Sequence, residues 1–438
     1  MLCKSRARQC LGDELMLGRE ADLQGRAAPG LISLNEDLKN VIKRLTEHEV
    51  GVWIVGGAVR DALLNITSDE IDLAVDIPPQ EVLDIFPDAI ATGLKFGTVT
   101  IRSGDSFFET TTTRTEADYG DGRRPEIVEW GSSLAQDLSR RDLTINAMAW
   151  DPLREILYDP YQGYLDLDAN ILRAVGNANS RLSEDGLRIM RVYRFMDRGL
   201  DNIWLPEREL SKALVNCLHM LEKVSNERIW SEFQRIILGK NASEVLIRMN
   251  RDGALNAIFD INIEVDERIS KCSKSIENRM AILLCDITTE EVKKIMVSMK
   301  TSTALRAKTV RLHHLRNSIP SLQEVALYRE VMGDDSFDHL ELLSFIHPNH
   351  DLSEIRKKIQ KIKSNTKPLA NGDWLMKNTG IKPGMRLGHL KEWLHRIQIE
   401  RGFTKLEQLE TILCTLPWQD GDSKEWPKLR WPNNTSYS

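Results

Sequence analysis

The pattern of apolar and polar positions divides the chain into a strand-containing first part and a helical remainder. Apolar residues recur with helical spacing along Leu34–His48, and Val52–Val55 has the length of a short buried strand. Pro78-Pro79 predicts a helix that continues through Phe86, because proline is tolerated in a first turn. From about residue 171 the apolar positions are spaced as in amphipathic helices. We therefore expect an α+β protein.

A β-hairpin is predicted after the second helix. Thr98–Arg102 and Phe107–Thr113 have the composition of strands, and Ser103-Gly104-Asp105 between them is typical of a turn. Glu109 lies on the second arm of this hairpin.

Residues 54–76 combine a glycine turn with closely spaced acids. The strand Val52–Val55 runs into Gly56-Gly57, where missing side chains let the backbone approach a bound group. Arg60 lies in the helix that follows, and a second predicted strand carries Glu70 and Asp72. Strand side chains alternate, so both carboxylates are expected on one face. This arrangement favours a divalent-metal site beside a phosphate-binding turn.

Composition adds looser bounds. The chain has 438 residues, of which 41% are hydrophobic, so it is long enough for several domains. No apolar run approaches membrane-spanning length, which predicts no membrane partner. The six cysteines have neither metal-ligand spacing nor the density of a disulfide scaffold, and they favour a cytoplasmic location. The net charge of −6 does not exclude nucleic acid, because basic residues such as those of Arg356–Lys367 can gather on one face.

Five motifs in fixed order resemble those of one enzyme family. They resemble the motifs of the tRNA nucleotidyltransferase/poly(A) polymerase family, in its bacterial and mitochondrial class. The motifs are GGAVRD with E-I-D-L-A at 56–74, RRDLTINAMA at 140–149, DPYQGYLD at 159–166, EDGLRIMRVYRF at 184–195, and the C-terminal segment 369–388. One departure is Glu70, which stands where the family has the first Asp of its D-x-D motif.

The resemblance implies a metal site and a fold. Glu70, Asp72 and Glu109 are the implied catalytic residues and ligands of Mg²⁺. The implied fold is a small nucleotidyltransferase head with a mixed β-sheet and helices, followed by all-α neck, body and tail domains. The expected ranges are 31–170 for the head, 171–250 for the neck, 251–365 for the body and 366–438 for the tail. Residues 1–30 lack a periodic apolar pattern and are expected to form a disordered extension.

The resemblance also implies a nucleotide-binding set. Gly56, Gly57 and Arg60 are expected to hold the triphosphate, and the Arg140-Arg141-Asp142 cluster the ribose and triphosphate. The full implied set is Gly56, Gly57, Arg60, Arg114, Arg140, Arg141, Asp142, Asn146, Asp185, Arg188, Arg191 and Arg194.

Asp185 and Arg188 are expected to share a helix face, because they are three residues apart. A carboxylate and a planar guanidinium suit the hydrogen-bonding edge of a base. By resemblance, this pair reads incoming CTP or ATP. Read from spacing alone, the pair could equally be a helix salt bridge.

Thr115–Pro125 is predicted to be a mobile loop, because it is charged, contains two glycines and lacks an apolar period. It resembles the flexible loop of the family. Family members that add only CC have a shortened loop, so the intact length points to addition of the terminal A.

The predicted function is template-independent completion of the 3′-CCA end of tRNA from CTP and ATP, with contacts to the acceptor arm. Three alternatives stay open at this point. One is an enzyme that adds only A, another is a poly(A) polymerase, and the last is a non-catalytic RNA-binding protein. The poly(A) alternative is disfavoured by the bare hairpin Thr100–Glu109 and by a C-terminus without a long basic extension.

Overall fold

The computed structural model describes residues 18–68, 70–117, 127–131, 133–199, 202–265 and 267–432. The chain forms two compact units, the first ending at Val265 and the second comprising the residues that follow. Residue 251 was the expected start of the body, but Ala254–Phe259 belongs to the first unit. The ring of Phe259 packs edge-on against Phe233, 5.1 Å between centroids, which ties this helix to the neck.

Strands are confined to the first unit in the described part of the chain. They are β1 (Arg26–Ala27), β2 (Val52–Val55), β3 (Asp72–Val75), β4 (Ile90–Gly93), β5 (Thr98–Ser103), β6 (Ser106–Thr112), β7 (Arg114–Ala117), β8 (Ile127–Trp130), β9 (Ala149–Asp151), β10 (Ile156–Tyr158), β11 (Ile171–Leu172) and β12 (Leu205–Pro206).

Eight of these strands form the main sheet of the described residues, in the order β1-β10-β9-β2-β3-β6-β5-β4. Strands β3 and β6 are parallel, and every other neighbouring pair in the sheet is antiparallel. The predicted mixed sheet is therefore confirmed. Strands β7 and β8 pair with each other, as do β11 and β12.

The first unit also contains eleven α-helices within its described residues. They are α1 (Glu36–Glu47), α2 (Gly57–Leu63), α3 (Pro79–Ile85), α4 (Leu134–Ser139), α5 (Gly163–Asp168), α6 (Ala178–Glu184), α7 (Leu187–Met196), α8 (Arg208–Asn216), α9 (Asn226–Ile237), α10 (Ala242–Asp252) and α11 (Ala254–Phe259). Short 3₁₀ helices occur at Leu94–Phe96, Thr144–Asn146 and Leu218–Lys223.

Helix α1 begins where the side chain of Asn35 accepts a hydrogen bond from the Leu38 backbone N–H. It packs on the face of the sheet to which Ile101 and Phe108 point. On the opposite face, α4 places Leu134 and Leu138 against an apolar cluster from β2, β3, β9 and β10. Both faces of the sheet centre are thus covered, which holds the ends of β2 and β3 in place.

The expected disorder of residues 1–30 is wrong for its second part. Strand β1 adds to the edge of the sheet by pairing with β10. The indole Nε1 of Trp150 donates to the Ala28 carbonyl at 3.0 Å, and Ala21 and Leu23 pack on the cluster beneath α4. Residues 1–17 lie outside the described residues.

The described residues of the second unit form ten α-helices and no strands. They are α12 (Arg268–Lys271), α13 (Ile276–Leu283), α14 (Thr289–Ser298), α15 (Thr303–His314), α16 (Val325–Met332), α17 (Asp335–Ile346), α18 (Ser353–Ile359), α19 (Gly372–Thr379), α20 (Met385–Arg401) and α21 (Leu406–Leu413). The α+β class with helical C-terminal domains is confirmed.

Two fully buried histidines, His313 and His339, and an apolar cluster lie in the interior of the second unit. Helices α19, α20 and α21 enclose a cluster that includes Leu375, Leu390, Leu394 and Leu409.

Among the described residues, no helix combines the length and apolar character that a membrane span requires. The described cysteines, at positions 217, 272, 285 and 414, are all free thiols.

Candidate active site

A cavity of about 570 Å³ lies between the sheet of the head and helices of the neck. It is lined by every predicted site residue except Arg114. The lining residues that matter here are Gly56, Gly57, Arg60, Asp61, Glu70, Asp72, Glu109, Arg140, Arg141, Asp142, Asn146, Asp185, Arg188, Arg191, Arg194, Arg198, Arg228 and Arg235. The cavity thus joins carboxylates of the sheet to an arginine-rich wall.

Asp72 and Glu109 are neighbours across the parallel strands β3 and β6. Adjacent strands lie about 4.8 Å apart, and partners in register point to the same face. Burial, and after it the charge of Glu109, raises the pKa of Asp72, while Arg141 acts in the opposite direction. A bound cation relieves such repulsion, and carboxylate oxygens suit Mg²⁺. The pair fits the predicted metal site.

Glu70 is not on a strand, and this part of the sequence prediction is wrong. Strand β3 begins at Asp72, which pairs with Val55, the last residue of β2. Beyond Val55 the chain turns away at Gly56, so Glu70 and Ile71 have no partner strand there. Glu70 lies exposed at the cavity. In the described part of the chain, no three His, Cys, Asp or Glu side chains come close enough to hold a metal.

The glycine turn after β2 is shaped by two constraints. Gly56 has φ of +69°, a conformation that favours glycine, and its N–H donates to the Met148 carbonyl at 3.3 Å. A Cβ at this position would lie 3.1 Å from Nη1 of Arg141. Gly56 therefore allows the turn and the Arg141 guanidinium to lie against each other.

Arg60 lies under the cavity and has protein partners. Its exposed fraction is 3%, and it pairs with Asp61 at 2.7 Å. Its Nη1 donates to Oδ1 of Asn146 at 2.7 Å. Burial lowers the pKa of Arg60, although Asp61 opposes this. These contacts give Arg60 a role in positioning Asn146, and its predicted contact with triphosphate stays a prediction.

Asp137 organises the Arg140-Arg141 pair. Its buried carboxylate accepts from Nε of Arg140 at 2.9 Å and from Nη2 of Arg141 at 3.0 Å. Burial opposes ionisation of Asp137, but the charges of Arg141 and Arg140 outweigh it and lower its pKa. Asp137 was not among the predicted site residues. The available signal was its spacing of three and four residues from the arginines, which directly follow the helix that contains Asp137.

Asp142 is the centre of a second buried network. Its carboxylate accepts from Nε of Arg191 at 2.7 Å, from Nδ2 of Asn146 at 3.1 Å and from the Leu143 N–H at 2.8 Å. Burial opposes ionisation, but Arg191 and these hydrogen bonds hold the pKa of Asp142 well below its usual range. Asp142 therefore connects the head to α7 through a charged pair.

Asp185 and Arg188 were predicted to share a helix face, and this prediction is wrong. Asp185 is in extended backbone at the end of α6, whereas Arg188 lies in the first turn of α7. Asp185 pairs with Arg228 of α9, with Nη2 and Oδ2 separated by 2.8 Å. Arg188 pairs with Glu184 and donates from Nη2 to the Arg140 carbonyl at 3.0 Å. Both residues still line the cavity, each held by a different partner.

Three guanidinium groups surround the buried ring of Phe195. Arg60, Arg191 and Arg194 lie 5.3, 5.6 and 4.3 Å from its centroid. Arg194 also pairs with Glu232 of α9. The ring offers a negative face to each cation, which allows like charges to be gathered beside the cavity.

Two predictions fall outside this cavity. Arg114 donates to the Phe96 carbonyl and lies over the Trp130 ring, 5.6 Å from its centroid. Thr115–Ala117, expected to be loop, belong to β7. Residues 118–125 of the predicted mobile loop lie outside the described residues.

The neck contributes three arginines that were not among the predicted site residues. Arg198, Arg228 and Arg235 line the cavity, the last two from α9. Arg228 and Arg235 are seven residues apart, which places them on one helix face. That spacing was a signal in the sequence, but no local feature indicated that this face met Asp185.

Two family profiles match the chain. Residues 52–173 match the poly A polymerase head domain, and residues 206–266 match the probable RNA and SrmB-binding site of polymerase A. The CCA-adding enzyme of Lactococcus lactis subsp. lactis is 32% identical over 80% of this chain and 90% of that protein. The chain belongs to the tRNA nucleotidyltransferase/poly(A) polymerase family. It is therefore a nucleotidyltransferase.

Other members of this family agree in extent and fold. The CCA-adding enzyme of Streptococcus gordonii is 33% identical over 80% of this chain and 89% of its own. The Bacillus stearothermophilus CCA-adding enzyme, solved in complex with CTP, has a TM-score of 0.74 at 22% identity, covering 87% of this chain and 99% of that one. The Thermotoga maritima enzyme, solved with tRNA_CCA, has a TM-score of 0.65 at 20% identity, covering 91% and 100%. At these identities the two structures establish the fold alone.

Proposed function

We propose that this protein adds the 3′-terminal CCA of tRNA, one nucleotide at a time, from CTP and ATP without a nucleic-acid template. The observation that carries the proposal is one cavity in which Asp72 and Glu109 face the arginines of the RRD segment and of α7. Relatives that align with most of the chain are CCA-adding enzymes.

In the proposed reaction, the 3′-hydroxyl of tRNA attacks the α-phosphate of the nucleotide. A bond forms between the 3′-oxygen and phosphorus, the bond to the leaving pyrophosphate breaks, and the hydroxyl proton is released. Asp72 and Glu109 would hold Mg²⁺, and Glu70, which does not form a three-ligand group with them as it stands, would join them by a shift of its unpaired backbone. When bound, the metal supplies charge neutralisation and activates the hydroxyl.

Arg140 and Arg141 would bind the triphosphate and ribose. Asp137 restrains both side chains, so little rotamer entropy remains to be lost when a phosphate binds. Asn146 is restrained between Arg60 and Asp142. The Gly56 turn leaves room for Arg141 at the end of β2, where a side chain would crowd it.

Asp185 and Arg188 would select the base. The carboxylate can accept from the exocyclic amine of cytosine or adenine, and the guanidinium can donate to ring acceptors. Arg228 restrains Asp185, and Glu184 restrains Arg188, so each presents its group from a fixed position. Because Asp185 and Arg188 have separate partners, both can bind one base without first breaking an ion pair between them.

The proposal is tested with three tRNAs, ending at the discriminator base, at C and at CC, each incubated separately with CTP and with ATP. Addition of C, C and then A, with no further extension, is the expected result. Extension of tRNA-CC alone would identify an enzyme that adds only A. Unlimited addition of A would identify a poly(A) polymerase, and no extension would support a binding protein.

A further inference from the structure

We propose that Phe107, assisted by Arg102, is a stacking platform that positions the terminal base of the RNA whose 3′-hydroxyl reacts. This inference rests on the proposed function, because it assigns the place of the RNA substrate of that site. It concerns residues of the β5–β6 hairpin that lie beyond the lining of the cavity.

Phe107 and Glu109 belong to the same face of β6. They are two residues apart on a strand, so their side chains point to one side, with Cα atoms about 7 Å apart. Glu109 is in register with Asp72, which points the same way. Phe107 is therefore one step along the strand from the carboxylate pair proposed to hold the metal.

The opposite face of the same hairpin is closed. Val99, Ile101 and Phe108 are buried, and α1 packs over them. On the open face, Phe107 is 58% exposed although it is a large aromatic side chain. Because its strand neighbour Phe108 fills the core, the exposed ring of Phe107 is free to contact a ligand at the polar site beside it.

Arg102 gives this face a positive charge. It is the cross-strand partner of Phe107, with its guanidinium carbon 5.9 Å from the ring centroid. Its only described hydrogen bond is a long one to the Gly104 carbonyl, 3.4 Å, and no ion pair to it is found in the described part of the chain. An aromatic ring beside a cation is the combination that binds single-stranded nucleic acid, through base stacking and phosphate contact.

The hairpin is held in a fixed position. Oγ of Ser106 donates to Asp37 of α1 at 2.7 Å. Gly104 has φ of +57°, and a Cβ there would lie 2.4 Å from the same carboxylate. The turn is therefore anchored to α1, and Phe107 is presented on a rigid element, as precise positioning requires.

The geometry leaves this side for the RNA. The nucleotide would occupy the wall formed by Arg140, Arg141 and the Asp185–Arg188 region, all of which line the cavity. The attacking hydroxyl must approach the metal from another direction. The terminal base of the RNA is attached to the sugar that carries this hydroxyl. The base must therefore lie about the width of one sugar from Asp72 and Glu109, and Phe107 is exposed there.

The test compares Phe107→Ala, Phe107→Tyr and Phe107→Leu in the full-length protein. Stacking of one base contributes about a 5- to 150-fold factor. We expect Phe107→Ala to lower kcat/KM for tRNA-CC by that factor while the KM for ATP stays unchanged. Phe107→Tyr should restore the value and Phe107→Leu should not.

The matched control is Tyr164→Ala. Tyr164 is another exposed aromatic of the head with an arginine above it, Arg26 at 4.3 Å, but it does not line the cavity. An unchanged kcat/KM in Phe107→Ala, or full restoration by leucine, would overturn the platform. Fluorescence anisotropy of a short RNA ending in CC separates the two proposals. If the wild type extends no tRNA, the proposed function fails. If the wild type and Phe107→Ala bind this RNA with equal affinity, the platform is rejected, whatever the outcome of the extension assay.

Discussion

The carboxylate of Asp185 is held by Arg228, which lies 43 residues later in the chain and donates from Nη2 to Oδ2 at 2.8 Å. This contact replaces the helix-face pairing with Arg188 that the spacing predicted. It makes the orientation of a candidate base-reading group dependent on α9. A residue on a different helix thus fixes the position of Asp185.

Asp185→Ala should blur discrimination among the four nucleoside triphosphates while tRNA affinity stays nearly unchanged. Arg228→Ala should have the same effect in weaker form, because the carboxylate remains but loses its restraint. The measurement is kcat/KM for CTP, ATP, GTP and UTP, with Lys212→Ala, a change in an exposed ion pair, as the control. Unchanged selectivity together with a lower free energy of unfolding would show that the pair has only a structural role.

Deleting residues 118–122 should abolish addition of A and spare addition of C, if the loop acts when the site changes from CTP to ATP. The deletion starts after Ala117, because residues up to that point pair with β8. Incorporation of labelled CTP into tRNA without CCA and of labelled ATP into tRNA-CC measures the two steps separately. Equal loss of both would mean that the deletion had damaged the head.

Substitution of the acidic residues should affect transfer unequally. Asp72→Ala should abolish it, because Asp72 is fixed in register with Glu109 at the proposed metal site. Glu70→Ala should lower kcat by orders of magnitude, and Glu70→Asp should remain active, since a negative charge is needed there more than a particular length. Single-turnover rates across a Mg²⁺ titration provide the measurement, and chelation by EDTA should stop the wild type. Wild-type rates in Glu70→Ala would remove Glu70 from the metal site.

Asp137→Asn should destabilise the first unit, because it leaves two arginines beside a buried neutral group. Breaking a buried ion pair by removing one partner typically costs about 3–5 kcal/mol. The free energy of unfolding in urea measures the change, and Glu209→Gln, in an exposed pair with Lys212, is the control. Equal unfolding midpoints for Asp137→Asn and the wild type would contradict the role of Asp137 in holding Arg140 and Arg141.

The second unit should lose stability as pH falls from about 6.5 to 4. Burial, and after it Arg316, lowers the pKa of His313 to about 4, and burial lowers the pKa of His339 to about 4. Between those pH values the unfolded chain binds more protons than the folded one, so the free energy of unfolding decreases with falling pH. For each histidine, the free energy of unfolding decreases by roughly 3 kcal/mol between neutral pH and a pH below 4.

Urea unfolding at pH 7.5 and 5 measures this dependence. His313 donates from Nε2 to the Leu284 carbonyl at 2.9 Å, so His313→Gln should lower stability but also reduce its change with pH. His48→Gln, which changes an exposed histidine of the first unit, serves as the control variant. An identical pH dependence in His313→Gln would show that this histidine is not responsible.

Local patterns predicted the elements that local chemistry determines. The strand Val52–Val55 was correct to the residue, and the β5–β6 hairpin was correct within one residue at each end, because a short apolar run and a glycine turn set their limits. What failed depended on distant contacts. Glu70 was placed on a strand because the sequence does not reveal that β2 ends at Val55, opposite Asp72.

The candidate site was predicted where motifs carried it and missed where tertiary contacts did. All predicted residues but Arg114 reach the cavity, because the family pattern identifies residues that converge from distant segments. Spacing did not reveal the link from Arg228 to Asp185, since each residue has nearer charged neighbours in sequence. Residues 18–30 were misjudged because a two-residue edge strand leaves no periodic pattern.

The end of β2 at Val55 also determines which acidic residues of the site can be substituted without displacing the sheet. Asp72 is paired on both sides, with Val55 of β2 and with Glu109 of β6. The sheet therefore sets the distance from the Asp72 backbone to a bound ion. Glu70 lies on backbone that no neighbouring strand constrains, and this backbone can shift by the length of one methylene. The departure from the family pattern at Glu70 therefore occurs at a position with conformational freedom, whereas the same exchange at Asp72 would meet backbone fixed by two neighbouring strands.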